Sequence, residues 1–236
     1  ADGNQAAGYI SVSDANGTMT WTDPTTIATA SVDEIVDGDG DTKVQVAESA
    51  DEDIIRFDMA GTEYFRMSNG KIHVGNTNES VYIGNGAGAA ADYVEASEKN
   101  NIGIGTIALN DITTGGWNTA LGYGALEKVT TGVNNIGIGP YALGDNVTGD
   151  HNTAIGAGAG DNRPTSSENV FIGRSSGTGG AGSGNVLLGA YSGQGQTLNN
   201  RLFIENSNST APLIYGEFDN DIVGVNGKLG VGTQAP

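Results

Sequence analysis

Apolar residues alternate with small or polar residues in a nine-residue unit that recurs through the second half of the chain. The unit reads NIGIGTIAL at 101, NTALGYGAL at 118, NIGIGPYAL at 135, NTAIGAGAG at 152, NVFIGRSSG at 169 and NVLLGAYSG at 185. The starts are 17, 17, 17, 17 and 16 residues apart, and weaker copies begin at Ser80 and Arg201. A short repeat at fixed spacing is typical of a solenoid in which each copy forms one coil. We therefore predict an all-β fold, a parallel β-roll of about eight coils of 16–17 residues over 80–205.

Positions two and four of each unit are apolar, apart from Thr119 and Thr153 at position two. Because side chains alternate along a strand, both positions should share one face, and we expect that face to point into the coil. The pairs are Val81/Ile83, Ile102/Ile104, Thr119/Leu121, Ile136/Ile138, Thr153/Ile155, Val170/Ile172, Val186/Leu188 and Leu202/Ile204.

Three other positions carry a fixed residue type. The leading Asn of successive units should stack in a ladder at one corner of the rod. Position five is Gly in seven units, from Gly84 to Gly189, which indicates a corner with positive φ or close backbone approach. A small residue at position eight, from Ala87 to Ser192, predicts a second strand with little room beneath it. At ~4.8 Å per rung, seven steps give a rod of roughly 34 Å.

Position three should face away from the interior of its own coil. It reads Tyr82, Gly103, Ala120, Gly137, Ala154, Phe171, Leu187 and Phe203. Small residues there would admit another backbone, and large apolar ones should not face water. Both features favour a second subunit on this face, so we expect an oligomer; a monomeric solenoid with some exposed apolar residues is the alternative.

The flanking segments read as antiparallel β-structure, which gives four predicted domains. Residues 1–32 hold a hairpin across Asn16-Gly17 and a linker, and residues 33–79 form an acidic β-meander whose last turn is Asn69-Gly70. The rod occupies 80–205, and 206–236 carries a hairpin signal at Asn226-Gly227. Residues 87–98 are the one modest helix candidate.

The charge of the chain excludes some partners. The formal net charge is −18, with 18 of the 28 acidic residues in the first 100 positions. A chain this acidic is not attracted to nucleic acid or to an anionic membrane, and no apolar run is long enough to span one. A start at Ala1 without an initiator Met suits a processed, exported protein and suits a trimmed sequence equally well.

The segments GDHNTAIGAGAG and GGWNTALGYGAL resemble the head repeats of trimeric autotransporter adhesins, the YadA-like head. The resemblance covers residues 80–205 and implies a left-handed parallel β-roll with three chains side by side. The unit here is longer than the usual family unit, and the family's C-terminal membrane anchor is not in this sequence, so the resemblance does not extend to secretion or anchoring.

The segment RLFIENSNSTAPLIYGEFDNDIVGVNGKLGVGTQAP resembles the region before the endosialidase-type intramolecular chaperone in phage tail fibres and related surface proteins. Together the two resemblances imply a homotrimeric extracellular fibre or adhesin without enzymatic activity. Its partners would be further copies of the chain, which could join end to end into a filament, and a surface polysaccharide or host-cell ligand. The alternatives are a tail fibre of a phage or contractile injection system and, less favoured, a polysaccharide depolymerase.

The best metal candidate is DGDGDT at 37–42, in which Asp37, Asp39 and Asp41 have the spacing of a calcium loop. Thr42 replaces the usual Gly and Glu48 falls within a predicted strand, so an acidic turn is the competing interpretation. The sequence therefore allows Ca²⁺ and indicates no other cofactor. The GTGGAG motif at 177–182 joins two coils and opens no helix, which argues against dinucleotide binding.

Catalytic groups are sparse. His73 and His151 have no partners at ligand spacing, cysteine is absent, and no nucleophile-His-acid order is persuasive. A glycosidase would need two carboxylates held about 5–10 Å apart, whereas the acids of the rod are expected in turns. They are Asp111, Glu127, Asp145, Asp150, Asp161 and Glu168. Trp117, Tyr123, Tyr141 and Tyr191 could stack on sugars or pack on neighbouring coils, and Trp117 should be the most exposed of the four.

Overall fold

The computed structural model describes residues 10–13, 19–22, 34–36, 43–46, 54–59, 62–68, 71–74, 80–91, 100–180 and 182–229. Within those ranges the chain is all-β and contains no helix, as predicted. The chain divides into two compact units, Ala1–Gly75 and Asn76–Pro236.

The first unit contains two antiparallel sheets. Strands β1 (Ile10–Ser13) and β2 (Met19–Thr22) pair with Ile10 opposite Thr22. A second sheet runs in chain order through β3 (Glu34–Val36), β4 (Lys43–Val46), β5 (Ile54–Met59), β6 (Thr62–Ser68) and β7 (Lys71–Val74). The predicted hairpin and meander are thereby confirmed. Their turns at Asn16-Gly17 and Asn69-Gly70 lie outside the described residues.

The second unit is one ten-stranded sheet whose strands follow chain order. Its eight parallel strands are β8 (Val81–Ile83), β9 (Ile102–Ile104), β10 (Thr119–Leu121), β11 (Ile136–Ile138), β12 (Thr153–Ile155), β13 (Val170–Ile172), β14 (Val186–Leu188) and β15 (Arg201–Ile204). Strands β16 (Ile214–Glu217) and β17 (Ile222–Val225) then extend the sheet antiparallel. The predicted parallel β-solenoid is confirmed.

Neighbouring coils are stacked in register. Thr119, Ala120 and Leu121 pair with Ile136, Gly137 and Ile138, an offset of one repeat. Because the offset equals the repeat length, each position of the repeat forms a column along the rod. We number the coils 1–8 from Ser80, Asn101, Asn118, Asn135, Asn152, Asn169, Asn185 and Arg201.

The prediction of which strand face points inward was wrong. Position three is buried, as Ala120, Ala154 and Phe171 show, whereas Leu121 and Ile155 at position four are 46% and 39% exposed. The alternation along the strand was correct, but the apolar pair faces outward. The interior of a coil is narrow and accepts one side chain from each three-residue strand, so the middle residue occupies it.

Large core side chains come from position three in some coils and from position nine in others. Coil 4 has Gly137 at position three and the buried Leu143 at position nine. Coil 6 reverses this, since a Cβ added at Gly177 in position nine would lie 2.5 Å from the ring of the buried Phe171 at position three. In both coils one large residue fills the space that the two positions share.

The second strand predicted at position eight is wrong, because residues 106–110 and their equivalents form turns. Ala108, Ala125 and Ala142 are completely or almost completely buried within these turns. The small residue is required because the turn crosses the narrow interior, where a larger side chain would meet the opposite strand.

Glycine at position five turns the corner after each strand, as predicted. The seven glycines have φ between +110° and +136°. A Cβ at Gly105 would lie 2.4 Å from the Gly122 carbonyl oxygen of the next coil. Both the backbone conformation and the close approach therefore require glycine here.

A buried arginine, unexpected from the sequence, lies between coils 5 and 6. Arg163 is 1% exposed; its Nε donates to the Gly177 carbonyl, and its guanidinium carbon lies 4.9 Å from the centre of the Phe171 ring. Burial lowers the Arg163 pKa to about 10. Gly180 leaves the space that this side chain occupies, since a Cβ there would lie 2.7 Å from Nη2. Coil 6 is one residue shorter than coil 5, and Arg163 fills its interior.

Two predictions near the ends of the rod fall partly outside the described residues. Strand β17 pairs with β16 around a turn at 218–221. The strand expected after Asn226-Gly227 extends beyond residue 229, where the described residues end, so that hairpin stays a prediction. Of the helix candidate at 87–98, residues 87–90 form turns and 92–98 lie outside the described residues.

Candidate functional site

The leading asparagines form the predicted ladder along one corner. Asn135 Oδ1 accepts hydrogen bonds from the Asn152 backbone N–H and Nδ2, both at 3.0 Å. Asn135 Nδ2 in turn donates to the Gly149 carbonyl of its own coil at 2.8 Å. The pattern repeats from Asn101 to Asn185, and these side chains are buried. The ladder ties each coil to the next and closes each coil on itself.

A second ladder at position 16 was not foreseen. The Asp150 carboxylate accepts from the Val133 N–H at 2.8 Å, and the Ser167 hydroxyl accepts from the Asp150 N–H at 3.0 Å. Ser183 and Asn199, at position 15 of the 16-residue coils 6 and 7, continue the series. The only signal in the sequence was that short polar side chains recur at this position. The signal was weak because the surrounding turn residues differ from coil to coil.

An exposed apolar strip follows the outer face of the sheet. It consists of positions two and four of coils 1–8, and register extends it to Ile214 and Val225 in one column and Val223 in the other. Ile83 is 58% and Val223 is 72% exposed. Nine steps of ~4.8 Å make the strip roughly 43 Å long. An apolar surface of this length and continuity is typical of an interaction site.

The strip deepens at its C-terminal end into an open groove of ≈ 570 Å³. Leu188, Ile204 and Leu213 supply its apolar walls, and Glu205 lies at its rim. The Glu205 carboxylate accepts from the Asn206 N–H at 2.7 Å and the Leu213 N–H at 3.0 Å. These hydrogen bonds lower the Glu205 pKa and hold the loop before β16 against the strip.

The residue that precedes each ladder asparagine, position 17 in the 17-residue coils, adopts the left-handed backbone conformation from Asn100 to Gly184. Its φ is 57° at Trp117, 58° at His151 and 60° at Glu168. These side chains are exposed, and Trp117, at 56%, is the most exposed of the four aromatic residues named from the sequence, as predicted.

The tyrosines lie at the opposite corner, and they pack on neighbouring coils. Tyr123 and Tyr141 meet edge to face with ring centres 5.1 Å apart, and the Tyr141 ring covers Gly124. Arg174 lies over the Tyr191 ring at 4.5 Å. Such contacts link consecutive coils on the outside of the rod.

The acidic residues of the rod lie in turns and connecting segments, as predicted. Asp145 binds Lys128 at 2.5 Å. Asp161 Oδ1 accepts from the Asp145 and Asn162 N–H groups, at 3.1 and 2.9 Å, while burial raises the Asp161 pKa. Within the described ranges, no three His, Asp or Glu side chains converge as metal ligands.

Other sites named from the sequence have different outcomes. Asp37, Asp39, Asp41 and Glu48 lie outside the described residues, so the calcium loop stays a prediction. His73 belongs to β7, and His151 is an exposed turn residue whose Nε2 lies 3.5 Å from Asn134 Nδ2. The GTGGAG motif connects coils 6 and 7 without a helix in its described part.

No helix in the described ranges is long and apolar enough to cross a membrane. No family model, curated protein or solved structure matches the chain. The likeness to adhesin head repeats and to tail-fibre segments therefore remains a resemblance of motifs.

Proposed function

We propose that this chain is a non-enzymatic structural and adhesive module of an extracellular trimeric fibre. The observation that carries the proposal is the apolar strip, which follows the whole ten-stranded sheet and faces solvent in the single chain. Parallel sheets are ordinarily covered on both faces. Here the coil covers one face, and the strip is left for a partner.

A second copy of the chain is the partner that best fits the strip. The strip repeats once per rung, so its partner needs apolar groups at the same spacing along a comparable length. Another copy lying alongside with a parallel axis provides that spacing without adjustment, and symmetric self-association is the usual outcome for soluble oligomers. Among the described strands, β8 and β17 are the outermost of the sheet, and we infer that end-to-end contact would take place at these two ends.

Three copies suit the shape of the strip. It is two side-chain columns wide, so around a threefold axis each strip packs against both neighbours at once. The adhesin-head resemblance implies the same arrangement of three chains side by side. The face used is the one with positions two and four, instead of the position-three face expected from the sequence.

The mechanism is mechanical. Cross-rung hydrogen bonds and two side-chain ladders stiffen each chain, and burial of the strip would join three chains into a rod. Variable turns and terminal segments then provide recognition at a cell or host surface. A tail fibre of a phage or injection system would use the same physics and is the alternative function.

The test is the mass of the protein in solution. We expect light scattering to give a trimer for the wild type, and a monomer for Ile136→Asp combined with Ile155→Asp, because a charge in the strip opposes burial. Since both side chains are exposed in one chain, the variant should keep its β-type circular dichroism.

Phe218→Asp is the matched control. Phe218 is a 51% exposed apolar residue in the β16–β17 turn and belongs to neither column of the strip. This variant should stay trimeric. A wild type that is monomeric at micromolar concentration would refute the proposal.

A further inference from the structure

Four consecutive coils present a column of large or polar side chains at position 17. We call Trp117, Asn134, His151 and Glu168 the recognition column. All four are exposed and follow one another along the rod at one side chain per rung. Coil stacking fixes the spacing at about 4.8 Å.

The backbone of the recognition column is left-handed and rigid. The N–H groups of Asn134 and His151 donate to the Gly116 and Val133 carbonyls at 3.0 Å, and Glu168 N–H donates to Asp150 at 2.9 Å. Gly adopts this conformation most readily, and Asn, Asp and, among the remaining residues, His are enriched in it. Coils 1, 6 and 7 end on Asn100, Gly184 and Asn200 in the equivalent place, and these residues suit it. Trp117 and Glu168 depart from this preference most strongly.

Core burial accompanies this conformation elsewhere but not at Trp117, His151 or Glu168. Leu109, Leu126 and Leu143 also have positive φ, but each is buried in the core and gains packing. Trp117 is instead 56% exposed, and His151 and Glu168 are also exposed. Residues held in sparsely populated backbone conformations cluster at binding and active sites.

We propose that the recognition column binds an extended neutral glycan lying along the rod. An indole face stacks on the apolar face of a sugar ring. Amide, imidazole and carboxylate groups on the next three rungs supply donors and acceptors for sugar hydroxyls. The rung spacing is close to the length of one pyranose residue in an extended β-linked chain, so successive side chains meet successive sugars.

The charge of the protein selects the class of glycan. The net charge of −18 and the carboxylate of Glu168 oppose a polyanionic polysaccharide. A neutral chain avoids that repulsion. This inference gives a ligand class to the proposed adhesive function, and it rests on that function.

The test is calorimetry with cellohexaose and chitohexaose, which are extended, and maltohexaose, which is curved. We expect the wild type to bind at least one extended oligosaccharide more tightly than maltohexaose. Trp117→Asn, His151→Asn and Glu168→Asn combined should weaken that binding by at least about tenfold. The same variant should melt at an equal or higher temperature, because Asn relieves the backbone strain at all three positions.

Tyr141→Gly is the matched control. Tyr141 is also exposed with positive φ, at 55°, but lies at the opposite corner, where other coils have Gly124 and Gly158. It should bind the glycan as the wild type does. Absence of binding by the wild type, or equal binding by the triple variant, overturns the proposal.

The oligomeric state separates this inference from the proposed function. If the triple variant loses stability or dissociates, the column is a subunit contact and the inference is wrong. A wild-type monomer that binds the glycan would refute the fibre and leave the recognition column standing. A wild-type trimer that binds none of the extended oligosaccharides would support the fibre and refute glycan binding by the recognition column.

Discussion

The middle and later coils of the rod fill the same interior from opposite sides. Coils 2–4 place Leu109, Leu126 and Leu143 at position nine, with Gly or Ala at position three. Coils 6 and 7 place Phe171 and Leu187 at position three, opposite glycine. The difference teaches that either position can supply the large core residue, and that neighbouring coils supply it where neither does. In coil 5, which has Ala154 and Gly160, Leu143 and Phe171 of the adjacent coils reach the space beside Gly160.

The two regions differ in backbone strain as well. Position nine has positive φ throughout, from 51° at Leu126 to 69° at Gly177. Leucine in that conformation costs about 1–2 kcal/mol, while burying its side chain gains roughly 1.5–3 kcal/mol. Glycine in the later coils avoids the strain and makes room for a larger group at position three. Both arrangements are stable, for different reasons.

The outer face does not change between the two regions. Positions two and four remain apolar or Thr from coil 1 to coil 8 in both. The choice of core side chains therefore varies from coil to coil, whereas the residue type of the strip is the same along the whole rod. A uniform outer face is consistent with one continuous partner surface.

The largest effect should come from exchanging the large residue between the two core positions. Phe171→Ala should destabilise the protein by about 3–5 kcal/mol through the cavity it leaves. Gly177→Leu should also destabilise it, because its Cβ would lie 2.5 Å from the Phe171 ring. The double variant should recover much of the loss, since coil 6 then resembles coil 3.

The measurement is urea unfolding at one fixed protein concentration, because association changes apparent stability. A double-mutant cycle reports the coupling between the two sites. If the stability losses of the two single variants simply add in the double variant, positions three and nine do not share one space. That result would contradict the comparison between the two regions.

An intermediate effect should distinguish ladder asparagines in the two regions. Asn135→Ala leaves the buried Asn152 N–H without its acceptor, which costs roughly 1–3 kcal/mol. Asn185→Ala should destabilise the protein less. It removes the acceptor of the Arg201 N–H, but that group is only partly buried, so water can replace the lost hydrogen bond. We expect thermal unfolding to show a larger loss for Asn135→Ala.

Asn134→Gly provides a control for the ladder. Asn134 neighbours Asn135 but is exposed, and glycine tolerates its positive φ of 57°. Stability should change little. If Asn135→Ala and Asn185→Ala lose the same amount of stability, the burial of the N–H group left without an acceptor does not determine the size of the loss.

The smallest effect is a pH dependence of opposite sign in two carboxylates. Burial raises the Asp161 pKa above its unfolded value, so Asp161 lowers stability at neutral pH, and this penalty disappears as pH falls through the raised pKa. Backbone hydrogen bonds from Asn206 and Leu213 lower the Glu205 pKa, so its contribution is present above the unfolded pKa and is lost as pH falls through the lowered one.

The experiment follows melting temperature from about pH 7 to about pH 3, the range in which carboxylates titrate. Asp161→Asn should gain stability at pH 7 relative to the wild type and lose that advantage in acid. Glu205→Gln should be less stable than the wild type at pH 7 and converge with it in acid. The same trend in both variants would contradict the assigned causes.

Much of the architecture could be predicted from the chain. The period of the repeat, the three-residue strands, the glycine corners and the asparagine ladder all follow from residues that recur at fixed positions. The exposure of Trp117 was also predictable from its place at the end of a turn. The position-16 ladder was harder to predict, because three different residue types, Asp, Ser and Asn, accept the same backbone hydrogen bond there.

The direction of the strand faces could not be predicted, and neither could the core position of Arg163. Apolar residues occur on both faces of these strands, so hydrophobicity alone does not choose between them. Arg163 lies between two strands in the sequence, and its burial depends on the space that Gly180 of the next coil leaves beside it. The direction of the strand faces and the burial of Arg163 both depend on atoms of the opposite wall or of the next coil, which are distant in the sequence.

The sequence by itself determined that the chain forms a stack of coils, because a repeat of constant length makes every local preference recur and reinforce its neighbours in register. The tertiary structure decided which side of the stack is inside. A three-residue strand between fixed corners has room inward for one side chain only, and this steric limit places the apolar pairs on the outer surface.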